Sequence, residues 1–304
     1  MDKSTVICSP YTPSCEYRAL SRYVTDQMYR NIGYSVYYGT SSTDSFNRSA
    51  AKNAAVHKAL EDNPNADVIV LADSDTFVSA NNLQYGIELC RKTGRFVNPF
   101  TEYKWVTHNC SLKMAVENVE QIETYLDFEN HVGGIVIVPV ELFKKVGGYD
   151  ERFESWGGED RAFYFACNAI LGYTEGLNIK GTAYHLYHPR GIDTLKTDPR
   201  NEAVVKLGMR YKAASGVKRT SGILGETDSG KIDIKKILMI MSESNGPLSD
   251  TKTCSGKMCT FDEINKSVSV IKRLSDGKLK LSFIDDKENE CIENEQGWSV
   301  ALCT

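Results

Sequence analysis

The chain has 304 residues, of which 41% are apolar and 25% charged, with a formal net charge of -4. That supplies one large core and a smaller appendage without covalent staples, and the mixed signs leave no field that would draw the protein to nucleic acid or an anionic membrane. The N-terminus carries no basic segment followed by an apolar run of signal-peptide length, and no stretch approaches the ~20 apolar residues of a membrane span, so a cytoplasmic location is expected.

The first elements alternate short β-branched runs with segments of helical period: Thr5 to Cys8, Glu16 to Asn31, Ser35 to Tyr38, Arg48 to Glu61 and Val68 to Ala72. This βαβαβ order predicts an α/β fold whose mostly parallel central sheet carries helices on both faces, with ligands gathered at the carboxyl ends of strands. Further along, helices are expected near Asn81 to Lys92, Leu112 to Leu126, Arg161 to Leu171 and Asn201 to Ala214, and strands near Arg95 to Asn98, Ile135 to Val138 and Ala183 to Tyr187. Beyond Ser221 the texture becomes polar and glycine-punctuated, with short apolar runs at Ile237 to Met241, Val268 to Ile271 and Leu279 to Ile284. A catalytic domain over 1–221 and a small, β-rich accessory module over 222–304 are therefore expected. The 9 cysteines are odd in number and scattered, with only Cys254 and Cys259 close together, which points to neither a disulfide framework nor a zinc site.

The apolar run Val68 to Ala72 ends directly on Asp73-Ser74-Asp75. In an extended chain, side chains two apart point the same way, so both carboxylates could approach one hard cation able to neutralise a diphosphate. An Asp-Ser-Asp triplet alone is as readily a turn; its place behind a buried third strand favours the metal reading. Further ligands can come from His185 and His188, whose neutral imidazoles suit a transition ion such as manganese beside carboxylates, or from neither, if both are ordinary strand-end histidines.

A second series runs Val132-Gly133-Gly134-Ile135-Val136-Ile137-Val138-Pro139, then Val146-Gly147-Gly148-Tyr149-Asp150, then Trp156-Gly157-Gly158-Glu159-Asp160. Paired glycines let backbone lie against a sugar where a Cβ would collide, and Trp156 offers an apolar face to a sugar ring. Glu159 and Asp160 open a helix, where the N-terminal field favours ionised carboxylates able to accept a proton, although an acidic first turn alone would look the same. The ordered series resembles the catalytic domain of GT-A glycosyltransferases, in particular the β-1,4-galactosyltransferases, the chondroitin polymerases and, more distantly, the polypeptide N-acetylgalactosaminyltransferases.

That resemblance covers roughly Thr5 to Arg190. It implies a GT-A fold, a UDP-sugar donor and a manganese or magnesium ion, with Asp160 as the base that deprotonates the acceptor hydroxyl and Glu159 holding the acceptor together with Trp156, Gly157 and Gly158. Phe46-Asn47-Arg48 is similar to the segment that meets the nucleotide base in those families, and Ser9-Pro10-Tyr11 stands where they receive the nucleotide. The donor is accordingly assigned to Pro10, Tyr11, Phe46, Arg48, Asp73, Ser74, Gly133 and Gly134, and the metal to Asp73, Asp75, His185 and His188. Two departures matter. The arginine those families place just after the proline is missing, leaving Arg18 and Arg22 as candidate substitutes, and Arg161 replaces a further aspartate, so acceptor preference does not carry over. The acceptor is a glycan, a protein side chain or a modified nucleobase. The expected reaction is sugar transfer with inversion; a nucleotidyltransferase is disfavoured because no Gly-rich phosphate loop follows Cys8, and a non-catalytic sugar-binding protein by the retention of Asp73, Asp75, Glu159, Asp160 and a candidate histidine ligand.

Overall fold

Two strands with every residue buried, β1 (Thr5–Pro10) and β3 (Val68–Ala72), form the centre of the molecule. The fold comes from a computed structural model that describes residues 4–12, 14–41, 46–129, 131–154, 157–173, 176–189, 200–215, 218–219, 226–227, 233–243, 256–258, 270–273 and 279–282. β1 pairs in parallel with β3 on one side and with β2 (Val36–Ser41) on the other, and helices α1 (Glu16–Asn31) and α2 (Arg48–Asp62) make the crossovers. The βαβαβ expectation holds. Alternate residues of β3 serve opposite faces: Ile69 and Leu71 join one core cluster with Ala55, Val56 and Ala59 of α2, while Val68, Val70 and Ala72 join another with Leu83, Ile87 and Cys90 of α3 (Ala80–Thr93). A sheet covered on both faces needs such continuous apolar strands.

Past β3 the sheet becomes mixed. The seven strands run β13 (Gly256–Met258), β2, β1, β3, β8 (Ile135–Pro139), β5 (Val97–Asn98) and β9 (Leu177–Asn178), and β8 is antiparallel to both β3 and β5. β8 enters from the side where β3 ends, so its amino end, with Gly133 and Gly134, faces the site. A helix (α5, Val140–Val146) follows β8. β9 (Leu177–Asn178) completes that edge, parallel to β5.

A second sheet, β4-β10-β6-β7, stands beside the first. It consists of β4 (Thr76–Val78), β6 (Glu102–Val106), β7 (Thr124–Glu129) and β10 (Thr182–His185). The helix expected over Leu112 to Leu126 is replaced by α4 (His108–Met114) and β7. Residues 124–129 alternate between half-buried and exposed, the period of a strand with one covered face, and pair along β6.

Helices α6 (Glu159–Leu171) and α7 (Arg200–Ser215) lie near their expected places. The run at Ile237 to Met241, expected in a β-rich module, is instead helix α8 (Ile234–Ser242), and its Ile237 and Ile240 are buried in the same cluster as Phe163 of α6 and Tyr211 of α7. Beyond α8, β13 (Gly256–Met258) adds antiparallel to β2, so residues past 221 extend the main sheet as well as its core. The short pairs β11 (Lys218–Arg219) with β12 (Glu226–Thr227), and β14 (Val270–Arg273) with β15 (Leu279–Ser282), are antiparallel. Among the described residues Cys8, Cys15, Cys90, Cys110 and Cys167 are free thiols, while Cys254 and Cys259 lie outside them. No described helix is long and apolar enough to cross a membrane.

Candidate active site

At the end of β3 the chain turns at once, with the Thr76 amide donating to the Asp73 carbonyl at 3.1 Å. The shared direction of residues two apart belongs to extended chain, so this turn separates the two aspartates expected to share a cation. Asp75 faces His185 and His188: its Oδ1 lies 3.6 Å from His185 Nε2 and its Oδ2 lies 3.6 Å from His188 Nε2. Ligand atoms of the three fall within 4.8 Å of one another. Strand register makes this meeting, since β10 pairs with β4 so that His185 stands opposite Thr76, and the Leu186 amide donates to the Asp75 carbonyl at 2.7 Å.

Both imidazoles are available as ligands. Burial pushes the His185 pKa down to about 4 against the opposing pull of Asp75, and lowers that of His188 in the same way. Neutral at pH 7, each keeps a lone pair. His188 Nδ1 lies 2.9 Å from the Pro189 carbonyl; a proton donated there leaves Nε2 free toward Asp75. His185 Nδ1 is buried without a partner, and its ring is set by stacking on Trp105, its β6 neighbour in register, at 4.1 Å and 18°. Burial alone would raise the Asp75 pKa, but His185, Arg18 and His188 outweigh it and hold the carboxyl well below its usual range. The Arg18 guanidinium lies 3.0 Å from Asp75 Oδ2 and 3.4 Å from His188 Nε2, so positive charge is already drawn to this place. One carboxylate and two neutral imidazoles form a donor set that fits a manganese-like ion.

A second constellation stands beside the first. Asp73 turns to Arg48 (3.6 Å) and Lys52 (3.2 Å), Arg48 continues to Glu159 (3.0 Å), and Lys52 continues to Asp160 (2.7 Å). Both cations come from one turn of α2, whose Asn47 cap accepts from the Ala50 amide at 3.0 Å while its Nδ2 donates to the Glu151 carbonyl at 2.8 Å, tying the helix start to the loop below the acceptor series. Burial raises the Glu159 and Asp73 pKa values in spite of these cations, whereas at Asp160 the pull of Lys52 and Arg48 and the hydrogen bonds from Lys52 and Tyr149 exceed burial and lower it. Glu159 Oε1 and Asp73 Oδ1 have ion-pair neighbours but no aligned hydrogen-bond donor, which leaves acceptor capacity in a buried place.

The glycines expected beside a sugar sit between the carboxylates. Gly134 follows from register, because β8 pairs with β3 and the Asp73 amide donates to its carbonyl at 2.6 Å. Gly133 and Gly134 have φ of +114° and +78°, and a Cβ would collide with Asp160 Oδ2 at the first and with Tyr103 at the second. Gly157 and Gly158 also have positive φ, Gly158 capping α6 just before Glu159. Trp156 lies outside the described residues.

The expected nucleotide segment is only partly gathered. Arg48 belongs to the charged constellation and Phe46 is half-buried just before it. Pro10 ends β1 opposite Gly39, and Tyr11 packs edge-on against Tyr38 at 5.9 Å with the Arg22 guanidinium 5.5 Å over each ring. Of the two candidate substitutes for the missing arginine, Arg22 is therefore beside Tyr11 and Arg18 is beside Asp75. Ser74 is buried, and its carbonyl accepts from the Thr25 hydroxyl at 3.1 Å.

Residues 114–189 match a family described as the N-terminal domain of galactosyltransferase. The match encloses Gly133, Gly134, the Gly157 to Asp160 string, His185 and His188, but not Asp73, Ser74, Asp75, Arg48 or the segment at Pro10. The chain is also 26% identical over 149 residues to human beta-1,4-galactosyltransferase 7, an alignment covering 49% of this chain and 34% of that protein. It thus spans about a third of that relative's length. Among solved structures it is similar to the catalytic domain of Drosophila beta1,4galactosyltransferase 7 in complex with xylobiose, at 17% identity and a TM-score of 0.40, covering 72% of this chain and 82% of that one. A second is glucosyl-3-phosphoglycerate synthase from Mycobacterium tuberculosis, at 12% identity and a TM-score of 0.38, covering 72% and 84%.

Sequence reasoning missed three residues of the constellation. Lys52 is 2% exposed at the centre of the ion-pair chain, Tyr149 donates its hydroxyl to Asp160 Oδ1 at 3.1 Å, and Asn53 holds Tyr149 in place by accepting from its amide at 2.8 Å and donating to its carbonyl at 2.9 Å. One signal was available for Lys52. It stands in an Ala-rich run, Ser49 to Val56, whose small residues suit close packing on every side.

Proposed function

We propose that the chain is a metal-dependent glycosyltransferase that moves a sugar, in the first instance galactose, from its UDP diphosphate to an acceptor hydroxyl with inversion. The observation that carries this reading is the pairing, where β3 ends, of a neutral-imidazole and carboxylate cluster suited to a divalent cation with a glycine-lined group of buried and half-buried carboxylates suited to an acceptor. Asp75, His185 and His188 would hold manganese or magnesium, which when bound neutralises the charge that grows on the departing diphosphate. Asp73 and Arg48 face the donor, Glu159 receives acceptor hydroxyls, and Asp160 takes the proton of the attacking one. The galactosyl choice rests on the similarity of residues 114–189 to galactosyltransferases. With a base on one side of the anomeric carbon and the diphosphate on the other, a single displacement inverts the configuration.

The test is release of UDP from UDP-galactose by the full chain with manganese, in the presence of xylobiose and with water as sole acceptor, followed by NMR assignment of the product anomer. Turnover that chelation abolishes and that inverts the anomer is expected. Turnover unaffected by chelation contradicts the metal reading, and a retained anomer removes Asp160 as base.

A further inference from the structure

Lys52 is a buried ammonium in the middle of α2, and no motif of the sequence accounts for it. Its partners divide unequally. Asp73 keeps a second cation, Arg48, if Lys52 is removed, whereas among the described residues Lys52 is the one cation in ion-pair contact with Asp160. The two oxygens of Asp160 are also unequal. Oδ1 accepts both from Lys52 Nζ at 2.7 Å and from the Tyr149 hydroxyl at 3.1 Å, while Oδ2 lies against Gly133, in the space that any side chain there would fill. The Lys52 ammonium sits 4.9 Å over the Tyr149 ring, so its two roles support each other. Asn53, the next residue of α2, fixes Tyr149 through both backbone groups.

We propose that Lys52 is the positioning residue for the acceptor base: with Tyr149 it anchors Asp160 by Oδ1 and leaves Oδ2, beside Gly133, as the oxygen that receives the acceptor's proton. This rests on the reading of Asp160 as base. In that step the acceptor O–H bond breaks and its proton goes to Oδ2. The acceptor oxygen's electron pair bonds the anomeric carbon, and the bond from that carbon to the β-phosphate oxygen breaks, its electrons leaving with UDP. A carboxylate free to rotate would offer either oxygen in many geometries; one held by two donors on the same oxygen offers one. The ammonium also makes Asp160 a weaker base, a cost that only fixed geometry offsets. Lys52 touches no reacting atom.

The test uses the full chain as Lys52→Met, Lys52→Arg, Asp160→Asn and the double variant Lys52→Met/Asp160→Asn, with manganese and UDP-galactose, xylobiose and water serving as acceptors. Lys52→Met is expected to lower kcat by about 100-fold, the lower end of general-base effects, with the donor KM changed less than about fivefold because Arg48 still faces Asp73. Lys52→Arg should recover about tenfold of the loss, and the double variant should be no slower than Asp160→Asn alone, as expected for residues acting as one unit. A crystal structure of Lys52→Met should show the Asp160 carboxylate rotated away from Gly133. If Lys52→Met does not fold, Lys52→Gln, which keeps a shorter, uncharged donor, takes its place, with a smaller loss of about tenfold expected and wild-type kcat again overturning the role.

Lys52→Met at wild-type kcat beside an inactive Asp160→Asn overturns the positioning role alone, as does a Lys52→Met crystal in which Oδ2 has not moved. Full activity of Asp160→Asn overturns the base assignment, and the role of Lys52 with it. No turnover by the wild-type chain overturns the proposed function, and the crystal arm still decides whether Lys52 sets the carboxylate.

Discussion

The two halves of the candidate site hold their charge differently. Around Asp75 the protein supplies one carboxylate and two neutral imidazoles, and its own cation, Arg18, reaches in with a side chain 30% exposed. Around Asp160 the balancing cations are built in: Arg48 and Lys52 rise from α2 between Asp73, Glu159 and Asp160, and Lys52 is 2% exposed. Charge on the first half can be exchanged, and on the second it is permanent. That division suits the proposed reaction, in which a diphosphate would arrive and leave with each turnover while the proposed proton acceptor stands in one geometry throughout.

The largest effect that would sharpen this comparison is loss of the proposed base. Asp160→Asn should reduce transfer by about 10²–10⁴-fold while leaving equilibrium binding of UDP with manganese unchanged, as measured by calorimetry. An equal loss of both would merge the halves. Next comes the support behind the permanent half. α8 packs Ile237 into the core, and Arg152, which pairs with Asp150 beside Tyr149, donates to the Ile240 carbonyl at 3.0 Å. Ile237→Ala should cost about 2–5 kcal/mol of unfolding free energy in denaturant titration. A chain ending at residue 221 should be destabilised by more.

Smaller effects follow. Gly133→Ala forces a side chain into positive φ and onto Asp160 Oδ2. It should cost about 1–3 kcal/mol of strain, read as a lower Tm together with lost transfer but retained manganese binding. The smallest belongs to the exchangeable half: Arg18→Gln removes the competing guanidinium and should tighten manganese binding by up to about fivefold, the range of a partly exposed ion pair, as titrated by electron paramagnetic resonance. Weaker binding in that variant would show Arg18 to be part of the metal site rather than its rival.

Much of the frame was legible in the sequence because local patterns dictate it. Continuous apolar runs marked β1 and β3, helical periods marked α1, α2, α3 and α6, and the place of Asp75 after a buried strand made it a candidate ligand. What could not be read depends on pairing between distant segments. β4 is three residues long and β6 is part-exposed without a regular alternation, so neither has a strong period of its own, yet their pairing with β10 carries His185 to Asp75. The divergence of Asp73 from Asp75 goes with a turn closed at Thr76 and with hydrogen bonds between the two backbones and different segments, at Gly134 and Leu186. Lys52 escaped notice because a lysine on a helix is ordinarily solvated, and only the carboxylates of two other segments make its burial affordable.

The most direct measurement is manganese binding, by electron paramagnetic resonance, to the wild-type chain, Asp75→Ala and Asp160→Asn, each followed by a transfer assay on the same sample. Two separable halves predict that Asp75→Ala loses both the ion and transfer, while Asp160→Asn binds manganese like the wild type and transfers sugar at least about 100-fold more slowly. Manganese bound normally by Asp75→Ala, or lost from Asp160→Asn, would contradict the account.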